Sequence, residues 1–482
     1  MTDADAPPRF RTPDTTLVIF GIIVLAAVLT WVVPPGAFAR TEIEVEGVGT
    51  REVVVPGSYE RVERVGEGVG ARLVHTVAMV FQAPIRGFVD PDAAPIIAFV
   101  LLVGGAFAVL AKTGAIDAAL RRVVAAAGRS RTLDAVLIPL FMALFSLAGA
   151  VFGMSEETIP FVLVFVPLAL ALGYDSVVGA AIPFLGSAAG FAAAFLNPFT
   201  VGVAQGIAGV ALFSGAGFRI GLWVVVTATV TAFVMWHARR VRRDPALSPV
   251  READAARAQA ASVEGDGTFT ARHGAVLAAF GLGIVALVVG VLTAGWYVVE
   301  IAALFVALAA VLGAAGGLGA NDTARAFMEG VRDLAPTALV IGLARGILVV
   351  LEDGQVVDTI LYALASGLGG AGATVAACAM FGVQTAINFF VPSGSGQAAL
   401  TMPLMAPLAD LVGVSRQTAV LAFQMGDGFT NMIIPTSAVL LGVLSLSGIP
   451  WPTWARWLWP LQAALFALGL AALALAVAVG YA

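Results

Sequence analysis

The sequence predicts an all-α polytopic membrane protein: two inverted repeats, about nine transmembrane helices and two re-entrant hairpins. Three observations predict it. With 482 residues, 60% hydrophobic and only 12% charged, at a mean hydropathy of +0.96, the chain cannot close as one soluble globule with a polar skin. Uncharged stretches long enough to cross roughly 30 Å of hydrocarbon as helix recur at 17–33, 93–111, 220–236, 275–297 and 457–482. Sliding the chain against itself by 240 residues sets prolines and glycines of the first half on those of the second. Barrel-type alternation is missing, so the spans are helical.

In chain order, 1–38 reads as a cytoplasmic tail, with Arg9 and Arg11, and a first span that has no small-residue cleavage site and stays as an anchor. Residues 39–91 form an external loop with an interfacial segment; it is long enough to escape the positive-inside rule, and "REVVVPGSYERV" suggests strand. Residues 92–237 are the first repeat, with a hairpin at 131–175 that enters and leaves on the cytoplasmic side, then a crossing broken at "NPFT" (197–200). Lys112, Arg121, Arg122, Arg129 and Arg131, and later Arg239, Arg240, Arg242 and Arg243, hold their ends in the cytoplasm. Residues 238–272, rich in Ala, Glu, Asp and Arg, read as a flexible cytoplasmic linker. Two scaffold spans in 273–332 reverse the direction. The second repeat, 333–482, then carries an outside-facing hairpin at 371–411 and a crossing broken around "NMIIPTS" (431–437). The expected location is the cytoplasmic membrane, with the N-terminus inside.

The clustered matches support the repeat better than scattered Ala and Val identities would. "PLALALG" (167–173) falls on "PLADLVG" (407–413), Ser155 on Ser395 and Gly186 on Gly426, and one residue off register "DAAP" (92–95) meets "DLAP" (333–336). Irregular backbone at membrane depth survives only where protein buries it or a cavity borders it, because lipid offers no partners for freed N–H and C=O groups. Four such places are expected: the tips "GMSEET" (153–158) and "PSGSGQ" (392–397), and the breaks "LNPFT" (196–200) and "IIPTS" (433–437). Proline explains the breaks, since it lacks the N–H and clashes with the preceding turn. Glycine and serine explain the tips. Paired broken elements in two inverted halves point to a midplane binding site.

"FGMSEETIPF", "LGYDS", "NPFTVGVAQGIA", "GLARGI", "INFFVPSGSGQAALTMPLMAPLADLVGVSRQ" and "FQMGDGFTNMIIPTS" together closely resemble the YfcC-like branch of the C4-dicarboxylate carrier (DcuC-like) family, within the ion transporter superfamily. The resemblance covers nearly the whole chain. It implies an ion-coupled secondary transporter or antiporter in which the hairpin-bearing part moves, elevator-like, against a scaffold. Members of the family are associated with C4-dicarboxylates, basic amino acids and other small carboxylates, so the resemblance leaves the substrate open. Scaffold-mediated homodimers are common in similar proteins.

Candidate ligands follow from the tips and breaks. Glu156 and Glu157 either lie in a well-capped first turn behind Ser155 or hold a cation, since adjacent carboxylates within a membrane domain repel unless a proton or cation lies close. Their repeat partners, Gly396 and Gln397, are uncharged, so the site is asymmetric. Asn388, Ser393, Ser395 and Gln397 suit a substrate carboxylate at a helix N-terminus; the structural alternative is a small-residue helix contact. Asn197, Thr200, Asn431, Thr436 and Ser437, with Asp427 beside them, offer the hard oxygen ligands sodium needs, or else they only cap helices. Arg345, in "GLARGI", either pairs with a buried acid such as Asp427 or Glu352 or clamps a carboxylate. Arg219 is expected to snorkel and Glu300 to be structural.

Other classes fare worse. One cysteine, Cys378, allows no internal disulfide or cysteine metal cluster, and His75, His237 and His273 are far apart. Short juxtamembrane basic runs without interleaved aromatics do not suit nucleic acid. "PSGSGQ" misses a glycine required of a serine-nucleophile loop and no histidine at membrane depth could activate it, so an enzyme is disfavoured. A channel remains the other alternative, separable by its lack of counterflow. No cofactor is expected beyond sodium or a proton as coupling ion; the partners are the bilayer and a small carboxylate or amino acid.

Overall fold

The computed structural model describes residues 15–45, 49–63, 68–91, 93–116, 118–119, 122, 131–261, 269–294, 296, 298–366 and 372–482. Arg9, Arg11, Arg121 and Arg129 lie outside them. The chain is an all-α polytopic membrane protein. Among the described residues, six helices are long and apolar enough to cross a membrane: α3 (Ala93–Lys112), α8 (Ala216–Arg243), α11 (Val298–Gly316), α12 (Ala320–Asp353), α14 (Ala373–Phe390) and α18 (Trp451–Ala478). The remaining helices are α1 (Thr15–Val32), α2 (Val69–Phe88), α4 (Arg131–Phe152), α5 (Thr158–Ala171), α6 (Ser176–Ala192), α7 (Val203–Ala208), α9 (Arg251–Ala261), α10 (Ala271–Ala294), α13 (Val357–Ser366), α15 (Gly394–Leu411), α16 (Arg416–Asn431) and α17 (Ala438–Ser447). Among the described residues, strand is confined to two small antiparallel pairs, β1 (Gly36–Ala37) with β4 (Glu60–Arg61) and β2 (Arg40–Val45) with β3 (Gly49–Val54).

Both halves run through one succession: helix, tip, helix, broken helix, long helix. The pairs are α4–α5 and α14–α15, then α6–α7 and α16–α17, then α8 and α18. Equivalent local chemistry recurs at the 240-residue offset. Asp175 caps α6 by accepting from the N–H of Val178 at 3.0 Å, and Ser415 caps α16 from Thr418 at 3.1 Å. Each helix lies just beyond a left-handed glycine, Gly173 at φ 81° and Gly413 at φ 72°. Asn197 and Ser437 likewise cap the segments after the two breaks.

Two groups of helices result. In one, α12 packs against α1, α2, α3 and α11, with α10 behind α11. In the other, α6 packs on α4, α5 and α8, and α16 on α14, α15 and α18, while α6 and α16 join the two sets. Small residues permit these approaches. A Cβ on Gly190 would stand 1.7 Å from the carbonyl oxygen of Ser146, and one on Gly428 would stand 2.4 Å from Cα of Ala192. The groups meet chiefly where α12 faces α17 and α3 faces α5.

Three expectations need correction. The segment after α8 is not simply flexible linker: α8 continues to Arg243, and α9 docks, with Asp254 accepting from the N–H of Ser176 at 2.9 Å and Arg257 donating to the carbonyl of Ser447 at 2.8 Å. Arg219 does not snorkel. It is 1% exposed, on the first turn of α8 beside Tyr481, because the chain after α18 folds back over it. Ser155 does not cap α5 with its side chain; instead its own N–H donates to Oε2 of Glu157 at 2.9 Å.

Candidate functional site

The tips are built by backbone chemistry. At the first, Gly153 turns the chain at φ 75°, and a Cβ there would stand 2.6 Å from Oδ1 of Asn197. The hydroxyl of Ser187 donates to the carbonyl of Met154 at 2.5 Å, and the N–H groups of Phe195 and Leu196 donate to that of Ala150. The first tip is therefore tied to the first break. At the second tip, Pro392 ends α14, Ser393 precedes α15, and a Cβ on Gly394 would stand 2.5 Å from Cγ2 of Thr200. Each tip leans on the break of the first half.

The tips and breaks surround one cavity of ≈ 520 Å³ between the two helix groups. Ser155, Glu156, Thr200, Ser393, Ser395, Asn431, Thr436 and Ser437 line it from the hairpin-bearing group. Arg345 of α12 lines it from the other, together with the start of α3 and of α11. Residues 155 and 395 thus share one cavity, and one face of it carries a carboxylate and another a guanidinium.

Five candidates do not line it. Glu157, 6% exposed, bonds back to Ser155. Asn197 accepts from the N–H of Phe199 at 2.9 Å. Gln397 faces α14, donating to the carbonyl and Oε1 of Gln384 at 2.9 and 2.8 Å, so its part is to bind the hairpin arms together. Asn388 donates to the carbonyl of Asp427 at 3.0 Å, and Oδ1 of Asp427 accepts from Asn431 at 3.0 Å. Asp427 is fully buried, and its Oδ2 lies 3.4 Å from where a Cβ of Gly394 would be. Among the described residues, Oδ2 of Asp427, Oδ1 of Asn388, Oγ1 of Thr200 and Oγ1 of Thr436 have no hydrogen-bond partner. Two of these four, on Thr200 and Asp427, belong to residues that flank Gly394.

Arg345 pairs with Asp90, Nε to Oδ1 at 2.8 Å, and Asp427 is bonded elsewhere. Asp90 is the residue sequence reasoning missed. The near-repeat of "DAAP" and "DLAP" brushed past it, but nothing local ties a loop acid before α3 to an arginine in the C-terminal third of α12.

A multi-pass helical protein whose hairpin tips and helix breaks meet at a cavity between two helix groups belongs to the class of membrane transporters. This chain is a member of the C4-dicarboxylate anaerobic carrier (DcuC) family, whose sequence profile matches residues 12–478. It is 38% identical over 481 residues to the Escherichia coli K12 protein named "Putative basic amino acid antiporter YfcC", covering 95% of this chain and 94% of that one. It is 29% identical over 494 residues to an uncharacterized Haemophilus influenzae protein, covering 95% and 96%. Among solved structures, the Alcanivorax borkumensis YdaH transporter aligns with a TM-score of 0.44 at 17% identity, over 97% of this chain and 99% of that one. Neisseria gonorrhoeae MtrF aligns with a TM-score of 0.41 at 16% identity, over 96% and 95%.

Proposed function

We propose that this protein is an ion-coupled secondary transporter or antiporter of small amino acids or carboxylates in the cytoplasmic membrane, working by elevator-like alternating access. One observation carries the reading: both hairpin tips and both breaks line a single ≈ 520 Å³ cavity, and that cavity lies between two helix groups. Movement of one group against the other would carry the cavity's contents across the membrane. Two inverted repeats, an inside N-terminus and a homodimer joined through the group containing α12 complete the proposal.

The substrate it suits best is an amino acid with a cationic side chain. Glu156 takes the ammonium or guanidinium end, while Ser393, Ser395 and Arg345 take the carboxylate at the N-terminal end of α15. The name of the Escherichia coli relative supports this choice. A dicarboxylate is the second reading, favoured by the family's description, and it requires a proton or sodium on Glu156. The coupling ion, sodium or a proton, belongs at Asp427, where Asn388, Thr200 and Thr436 carry buried oxygens without hydrogen-bond partners and the break residues Asn431 and Ser437 line the adjoining cavity.

Counterflow in liposomes tests the reading. Purified protein loaded with unlabelled lysine, arginine, ornithine or succinate should concentrate the labelled form of one of them, with saturation and with dependence on a sodium or proton gradient. Flux that neither saturates nor shows counterflow would assign a channel instead.

A further inference from the structure

Three buried ionisable groups outside the central cavity gather where the chain leaves α8. Asp175 at the N-cap of α6, His237 near the end of α8 and Asp254 in the first turn of α9 are 2%, 3% and 9% exposed.

Their bonds stitch the linker to three helices. Oδ1 of Asp175 caps α6, while its Oδ2 lies 3.0 Å from Nε2 of His237 and accepts from the hydroxyl of Ser248 at 2.9 Å. The His237 ring stands edge to face against Trp457 of α18, centroids 5.2 Å apart. Asp254 accepts from the N–H of Ser176, Arg257 reaches the carbonyl of Ser447 at the end of α17, and Val250 between Ser248 and α9 is buried. That contact bears on movement, because α17 is a helix through which the hairpin-bearing group faces α12. Docking also takes Arg251–Ala261 out of the chain that joins α8, in the hairpin-bearing group, to α10, in the other, and so shortens their tether.

The buried charges balance in one protonation state. Oδ1 of Asp254 lies 3.8 Å from Nη1 of Arg257 and has no hydrogen-bond partner among the described residues, which leaves it open to a proton. With His237 protonated, the carboxylates of Asp175 and Asp254 face the cations of His237 and Arg257, and the four sum to zero. With His237 neutral, one negative charge is left over between two acids that repel each other, and burial makes that costly. Arg239, Arg240, Arg242, Arg243 and Asp244 at the end of α8 are exposed, as are Arg251 and Glu252 on α9 and Arg456 on α18, so water and salt screen them.

We propose that Asp175, His237, Ser248 and Asp254 form a cytoplasmic pH sensor, which docks α9 when the cytoplasm acidifies and thereby slows solute exchange. Histidine is the side chain whose charge ordinarily changes between about pH 5 and 8, so the sensor works in the physiological range. The proposal rests on the transporter reading and its inside N-terminus, and gives that reading a control.

Hydrogen exchange of α9 reads the sensor without transport. In the full-length protein in lipid nanodiscs, protection of α9 should fall about tenfold as pH rises through the histidine range, the change produced by one unit of difference in proton affinity between the docked and undocked forms. His237→Gln should hold α9 at its high-pH protection across that range, leaving only the step in the carboxylate range. Ser248→Ala, should His237→Gln fail to fold, removes the linker's bond to Asp175 and should lower protection at every pH. Flat protection in the parent, a neutral-range step that survives His237→Gln, or protection unmoved by Ser248→Ala each overturns the sensor. In liposomes, homoexchange of whichever of lysine, arginine, ornithine or succinate the protein carries should run about tenfold slower at the acid end of the range on the cytoplasmic side. Arg257→Ala, which frees α9 from α17, should run at the fast rate at both ends. An equal slowing in Arg257→Ala overturns the control of exchange. A protein that exchanges none of the four solutes overturns the transporter reading, and the protection of α9 then decides the sensor by itself.

Discussion

Nε of Arg345 lies 2.8 Å from Oδ1 of Asp90, with the two side chains only 17% and 11% exposed. The pair joins the C-terminal third of α12 to the loop before α3, on the side of the cavity contributed by the α12 group. Removing either partner leaves the other charge poorly solvated, so Arg345→Gln and Asp90→Asn should each destabilise the protein by about 3 kcal/mol, and the double variant by less than the sum. Arg345→Lys separates structure from binding. It keeps the ion pair and loses the planar fork, so melting should change little while KM for substrate rises roughly tenfold. An unchanged KM would leave Arg345 a purely structural role.

The adjacent glutamates should behave differently, because Glu156 lines the central cavity and Glu157 bonds back to the N–H of Ser155. Glu156→Gln is expected to abolish or uncouple exchange with insertion and folding intact. Glu157→Gln retains an oxygen that can accept from Ser155, and should keep most of the activity. Equal, full activity in both variants would return the pair to helix capping.

Asp427 presents a buried carboxylate oxygen without a hydrogen-bond partner among the described residues. Asp427→Asn should break the dependence of transport on the ion gradient while exchange of substrate for substrate continues. Parallel loss of both, with normal melting, would place Asp427 with the substrate rather than the coupling ion.

Gly428 lets α16 cross α6 so closely that a Cβ would stand 2.4 Å from Cα of Ala192. Gly428→Ala should therefore cost about 1–3 kcal/mol by overpacking and lower the thermal midpoint. Ala192→Gly in the same chain should recover part of that loss, which a propensity effect alone would not produce.

The docking of α9 should depend on pH. Burial pushes the Asp254 carboxyl above its ordinary value of 3.8, nearby Asp175 adds to the rise, and bonds from Ser176 and the Arg257 charge oppose it. The folded state then holds this proton at pH values where the undocked chain has released it, so the contribution of Asp254 weakens as pH rises through that window and is greatest below it. Hydrogen exchange of α9 should speed up accordingly across the carboxylate range. Asp254→Asn should flatten the dependence; an unaltered slope in that variant would assign it to another group.

Much of this was legible in the residues themselves. Hydropathy determined the membrane class, and the Pro, Gly and Ser clusters determined where helices reverse or break, because missing donors and positive φ act on the backbone at the same position. Caps such as Asp175 and Ser415 were equally local. What the sequence could not decide were choices of direction and partner. Gln397 shares the serine-rich tip yet turns to Gln384, since its place on the turn of α15 points the side chain toward α14. Arg345 meets Asp90, Arg219 disappears beside Tyr481, and α9 clasps the ends of α6 and α17, all through contacts between residues far apart along the chain. Local propensity is blind to such pairs. Only tertiary packing, made close within each helix group by glycines whose missing side chains no hydropathy scale registers, sets which charges face each other across the cavity.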